Sequence, residues 1–251
     1  MPFLKSGLVL SLVSLSTLTS LQANQEASVV KKVFPLTTSL QSLEFEGAKG
    51  KLNIQVHAKN EISVTIKKVE WSKDCEESMV QFGPSMTLKF KASSLFSKAQ
   101  CVVEAEISLP KSVDLDISHG SMETSLKGSF GQLKYKSASG KLLAQGEFSK
   151  VEATVASSDV FIEGLTSDTE IIGASSDVKL VYAKCPVRPS KLSISRASGD
   201  VEIYAPKTCQ FKTKIKTASG ETFNEFGDSK NPDIDLSSVS ASGDLTIKKL
   251  K

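Results

Sequence analysis

The sequence predicts an all-β protein built as a parallel β-solenoid. Three observations carry this. A short turn motif recurs at an almost constant interval, apolar residues alternate with polar ones on either side of it, and no stretch shows a 3.6-residue apolar period. The turn appears as Ser137-Ala-Ser-Gly140, Ala156-Ser-Ser-Asp159, Ala174-Ser-Ser-Asp177, Ala197-Ser-Gly-Asp200, Ala218-Ser-Gly-Glu221 and Ala241-Ser-Gly-Asp244. Ser118-His-Gly-Ser-Met122 reads as a degenerate first copy. Aligning Gly120, Gly140, Ser158, Ser176, Gly199, Gly220 and Gly243 gives steps of 20, 18, 18, 23, 21 and 23 residues. Glycine supplies a positive φ, and Ser and Asp bond local amides, so each copy is a corner.

The chain divides, in order, into three parts. Residues 1–23 have the layout of a secretory signal: Lys5 as the positive start, an uncharged stretch from Gly7 to Leu21, and cleavage expected after Ala23. That stretch is too short and too rich in Ser and Thr to serve as a membrane anchor, and the expected address is exported, periplasmic or at the cell surface. Residues 24–110 form an irregular N-terminal β region of the same domain. Its strands are expected around Val29-Val30, Leu43–Phe45, Leu52–Val56, Ile62–Ile66, Met86–Phe90 and Val103–Ile107, with Trp71–Ser85 as a polar excursion. A separate small β domain is the alternative for this region. Residues 111–251 are the repeat solenoid, with two strands in each coil of about 20 residues. Leu133-Lys-Tyr135, Val151–Val155, Leu192-Ser-Ile194 and Phe211–Ile215 precede the corners; Val160-Phe-Ile162, Val178-Lys-Leu180, Val201-Glu-Ile203 and Leu245-Thr-Ile247 follow them. A unit this small buries its apolar side only by stacking on its neighbours. An antiparallel meander or sandwich is the competing architecture, but it does not repeat one turn sequence at one corner. Lys248, Lys249 and Lys251 on the last strand read as guards on an exposed edge.

Cys75, Cys101, Cys185 and Cys209 are even in number and form no Cys-x-x-Cys pair. In an oxidising compartment they read as disulfides. Of three possible pairings the local one, Cys75–Cys101 and Cys185–Cys209, spans about one structural unit in each half.

The unit Ala-Ser-Gly-Asp-Val-x-Ile, the strands Leu52-Asn-Ile54 and Ile62–Ile66, and Leu109-Pro110 ahead of the repeats resemble the bacterial exported family known as putative adhesins, a domain of unknown function. The resemblance implies a β-solenoid-like fold and an envelope location, and it brings no catalytic residue with it. Residues 67–101 depart from the pattern, as do Ser158 and Ser176 in place of the turn glycine.

Chemistry-bearing residues are few. A formal charge of +3 argues against a nucleic-acid binder. Asp159, Asp177, Asp200, Glu221 and Asp244 form one acid per coil, too sparse for calcium repeats, so each is expected to cap its own turn. The pairs Asp114/Asp116 and Asp233/Asp235 have the spacing of glycosidase carboxylates, but the chain holds one Trp and three Tyr with which to stack a sugar. His57 and His119 read as exposed turn or surface residues. Lys212, Lys214 and Lys216 should form an outward basic row, with Lys134 and Lys136 at the equivalent place in an earlier coil. No catalytic, cofactor or metal site is expected. The function expected is a non-enzymatic adhesin or envelope scaffold with multivalent contacts to surface polymers, glycans or proteins. The alternatives are a polysaccharide-active enzyme or a periplasmic accessory to a membrane sensor.

Overall fold

A computed structural model of the chain describes residues 28–94 and 99–250, so the signal segment 1–23 lies outside the described residues. The repeat region is built from bent strands. β7 (Asp114–Lys127), β8 (Gln132–Gln145) and β9 (Lys150–Glu163) each run through a corner, and β2 (Ser42–Val56) does the same earlier in the chain. In later coils the corner breaks the strand in two: β10 (Thr169–Ser175) with β11 (Val178–Val181), β12 (Ser190–Ser198) with β13 (Val201–Ala205), β14 (Phe211–Thr217) with β15 (Thr222–Asn224), and β16 (Ile234–Ser240) with β17 (Leu245–Lys249). Coil pairs on coil in parallel, residue for residue, as in Leu133↔Val151 and Leu142↔Val160. Each coil thus contributes one strand to face I, before the corner, and one to face II, after it.

Alternation places the core. Leu133 and Tyr135 from face I, and Leu142 and Ala144 from face II, point inward and are buried, while Lys134, Lys136 and Lys141 between them face solvent. The third side of each coil is the connecting turn, plugged by Phe130, Phe148 and Leu165; the first two rings stack at 5.6 Å. The buried side chains form a continuous cluster from Leu36 to Ile247.

The order of the coils in space departs from their order in sequence at both ends. β16 pairs with β12 on one side and β14 on the other, and β17 lies between β13 and β15. The final coil is therefore an interior one, and β14 with β15 forms the outer end. This overturns the reading of Lys248 and Lys249 as edge guards; the edge lysines are those of β14. At the other end β2 sits between β7 and a split coil made of β5 (Ser85–Ala92) and β6 (Cys101–Leu109). Three antiparallel strands finish this end: β3 (Glu61–Trp71) on β6, β1 (Val29–Pro35) on β3, and β4 (Cys75–Phe82) on β5. The polar stretch expected as an excursion is thus largely strand β4. Its inward positions hid its period, because Cys75, Glu77 and Gln81 are not core aliphatics and only Met79 among them packs on the core.

Disulfides join Cys75 to Cys101 and Cys185 to Cys209. The first ties β4 of face I to β6 of face II, and the second ties two successive connecting turns. Each closes a loop worth about 3 kcal/mol in the chain-entropy model.

Candidate binding surface

The corner is where the repeat motif acts. Its column reads, in spatial order, Met122, Gly140, Ser158, Ser176, Gly199, Gly243 and Gly220. The member before Gly140 is Met122 and not Gly120, and Gly50 of β2 precedes Met122 in the same column. β7 pairs Met122 with Gly140, and the buried thioether fills a corner that needs no glycine. Where glycine does stand, each coil's carbonyl presses on the next. A Cβ on Gly243 would lie 1.8 Å from the Gly199 oxygen, at φ +100°. Ser158 and Ser176 are buried members of the same column.

Beside the column runs a ladder of acids. The Asp177 carboxylate accepts the Asp200 N–H at 2.8 Å, Asp200 accepts that of Asp244 at 2.9 Å, and Asp244 accepts that of Glu221 at 2.8 Å. Each aspartate therefore caps the corner of the adjacent coil, where a cap on its own turn was expected. The acids brace the stack and follow its spatial order, with Asp244 between Asp200 and Glu221.

Under the corner lies a buried polar network. His119 Nε2 is 2.8 Å from the Tyr135 hydroxyl and 3.2 Å from Thr124 Oγ1, and its Nδ1 is 3.4 Å from Ser137 Oγ. Ser137 Oγ donates to the Ser139 carbonyl and meets Ser158 Oγ at 2.8 Å. With its own proton committed, Ser137 accepts from Nδ1–H, and Nε2 is left to accept from Tyr135. Burial pushes the imidazole pKa down to about 4 and raises that of the Tyr135 phenol. His119 is thus interior, contrary to the exposed position expected of it. The available signal was parity: Leu115, Ile117 and His119 are alternate residues of one strand. His57 is half-buried, and its Nδ1 accepts the Lys59 N–H at 3.0 Å.

Further along, Arg196 is buried and donates to the Asp244 carbonyl at 3.1 Å; burial lowers its pKa, with Asp200, Asp177 and Asp244 opposing. The acid ladder thus also serves as the counter-charge of an interior cation.

In each carboxylate pair weighed for acid–base chemistry, one member is structural. Asp114 accepts the Gln132 N–H at 2.7 Å, and Asp233 accepts that of Gln210 at 2.8 Å. Their partners in sequence, Asp116 and Asp235, face solvent in the same outer rows as lysines of neighbouring coils. Lys212, Lys214 and Lys216 do form an exposed row on β14. Lys134 and Lys136 lie in the rows of Lys214 and Lys216, but Glu152, Glu170, Ser193 and Ser237 intervene in the first, and Thr154, Ile172, Ser195 and Val239 in the second.

The outer side of face II carries a groove of 480 Å³ crossing four coils. Leu143 and Phe161, side by side and half-buried, make its floor; Asp159, Asp177 and Asp200 line one wall. Lys179 projects beyond the floor, paired with Glu202 at 3.5 Å and 5.0 Å above the Tyr204 ring. This apolar platform, flanked by carboxylates and an ammonium group, offers stacking and hydrogen bonds, and it gives way to Lys179 and Glu202 in the next two coils.

Among the described residues no helix is long and apolar enough to cross a membrane. No curated protein matches the chain in sequence. Several solved structures align along most of its length. A putative cell adhesion protein from Clostridium sporogenes is 16% identical over 90% of this chain and 100% of its own, with a TM-score of 0.43. A putative adhesin from Bacteroides fragilis is 14% identical over 89% and 97%, at 0.47. A putative lipid binding protein from Parabacteroides distasonis is 12% identical over 90% and 98%, at 0.37. The family model that matches residues 36–251, nearly the whole described chain, makes this protein a member of the Toastrack DUF4097 family.

Proposed function

We propose that the protein is an exported, non-enzymatic β-solenoid acting as an adhesin or envelope scaffold, through weak contacts repeated along its outer faces. The observation that carries this is the row structure of face II. Lys141, Asp159, Asp177, Asp200, Asp244 and Glu221 fall in one straight line from coil to coil, beside Leu143, Phe161, Lys179 and Glu202 in the next. Such rows give a ligand evenly spaced footholds at about 4.8 Å intervals, and linked weak contacts add to an avidity that one of them lacks. The partners this suits are surface polymers, glycans or proteins. In each carboxylate pair at near-catalytic spacing, one member, Asp114 or Asp233, is committed to a backbone amide.

Protease treatment of intact cells tests the reading. Loss of the full-length protein, with an internal control preserved, is the expected result for a surface adhesin. Full protection until the envelope is broken sinks the adhesin and leaves an internal scaffold.

A further inference from the structure

A stack of strands has open ends, and unpaired backbone at those ends recruits other chains unless something prevents it. Among the described residues four strands are terminal, and they are guarded unequally. β1 carries Lys31 and Lys32 and ends at Pro35. β14 carries its three lysines and lies under the loop 225–232. There Asp228 accepts the Thr213 N–H and Oγ–H at 2.9 and 2.8 Å, the Ser229 N–H donates to the Phe211 carbonyl at 2.6 Å, and the Phe226 ring packs 4.8 Å from that of Phe211. β15 is only 3 residues long.

β4 has none of these devices. Its 8 residues, Cys-Glu-Glu-Ser-Met-Val-Gln-Phe, include no Lys, Arg or Pro. Its register with β5 runs unbroken from Cys75↔Ala92 to Phe82↔Ser85, without a bulge. Val80 and Phe82 are 53% and 86% exposed. Among the described residues no strand pairs with its other edge. The Cys75–Cys101 bond holds the strand to β6, so the edge is ordered before any partner arrives.

We propose that β4 is a dimerisation edge, pairing antiparallel with β4 of a second copy across a two-fold axis, so that the two face I sheets become one. Charge favours self-pairing. With Met79 at the axis, Ser78 meets Val80, Glu77 meets Gln81 and Glu76 meets Phe82, so no acid opposes an acid. Glu77 is already answered inside its own protomer by Lys68 at 2.6 Å. The pairing is isologous and therefore closes at two copies. The capped far end at β14 prevents growth into filaments.

Light scattering on the full exported chain, both disulfides formed, is expected to give twice the protomer mass. Val80→Lys with Phe82→Lys should halve it, while Val33→Lys on the guarded edge β1 should leave it unchanged. Should the double variant fail to fold by circular dichroism, Ser78→Lys, which adds charge opposite Val80 of the other copy, is the milder substitute. A nitroxide on Thr87, beside β4, should report a short intermolecular distance, and one on Lys214 at the far end should not. A protomer mass at every concentration overturns the proposal, as does a dimer that survives lysines on β4 or one whose short distance appears at Lys214.

Discussion

At Gly243 the backbone leaves no space for a methyl group. The 1.8 Å approach to the Gly199 oxygen and the positive φ act together, so Gly243→Ala is expected to cost about 3 kcal/mol or more, read as a lowered urea midpoint. Gly83 is the contrast: its φ is +56°, nothing lies within 4 Å of an added Cβ, and Gly83→Ala should cost about 1 kcal/mol. His119 gives a second prediction at this scale. Burial holds its folded pKa at about 4 against an ordinary 6.5, so between those values the unfolded chain takes up a proton that the folded chain refuses. Stability is then full above pH 6.5 and declines as pH falls toward about 4, by on the order of 3 kcal/mol in all. Urea titrations across this window should show that slope in the native chain and not in His119→Gln. The corner glycines were legible in the sequence because a positive φ demands one residue type. The interior of the corner was not, because a histidine followed by glycine and serine has the composition of a turn, and only strand parity reveals it as buried.

At the scale of the element, period-two alternation was enough to place strands wherever one side is buried, as in β8 and β12. It failed at β4, where the outward positions alternate with residues that are only half covered. The acids after each corner were legible as caps, but their partners were not. A carboxylate that bonds an amide 23 residues away in sequence is one rung away in space, as between Asp177 and Asp200. The loop over β14 follows the same logic, and it yields a prediction. Asp228→Ala removes the acceptor of the Thr213 amide and hydroxyl, so hydrogen exchange of β14 should accelerate while β12, two strands inward, stays protected. Equal acceleration in both strands would mean that the loop does not act locally as a cap.

For the whole molecule, the stacking of parallel coils followed from the repeat, but their order did not. The motifs at Ala197, Ala218 and Ala241 are nearly identical, so any of the three coils fits any of the three places by local chemistry. The exchange is decided by the connections, which carry the chain past an unfilled position after Ala205 and back into it before Ile234. A chain stopped after Asn224 should therefore lose more than its missing strands. β14 and β15 pair only with β16 and β17, so all four disappear from the protected set. Limited proteolysis should then trim the truncated protein back toward β13. Survival of β14 in that experiment would contradict the observed pairing.

The inserted last coil has a consequence for how the protein is made. Synthesis delivers the amino end first, so the outermost rung exists before the rung that will hold it. Until β16 and β17 emerge, the stack has a gap in its ladder and a dangling segment beyond it. Arrival of β16 and β17 is thereby the event that seals the structure.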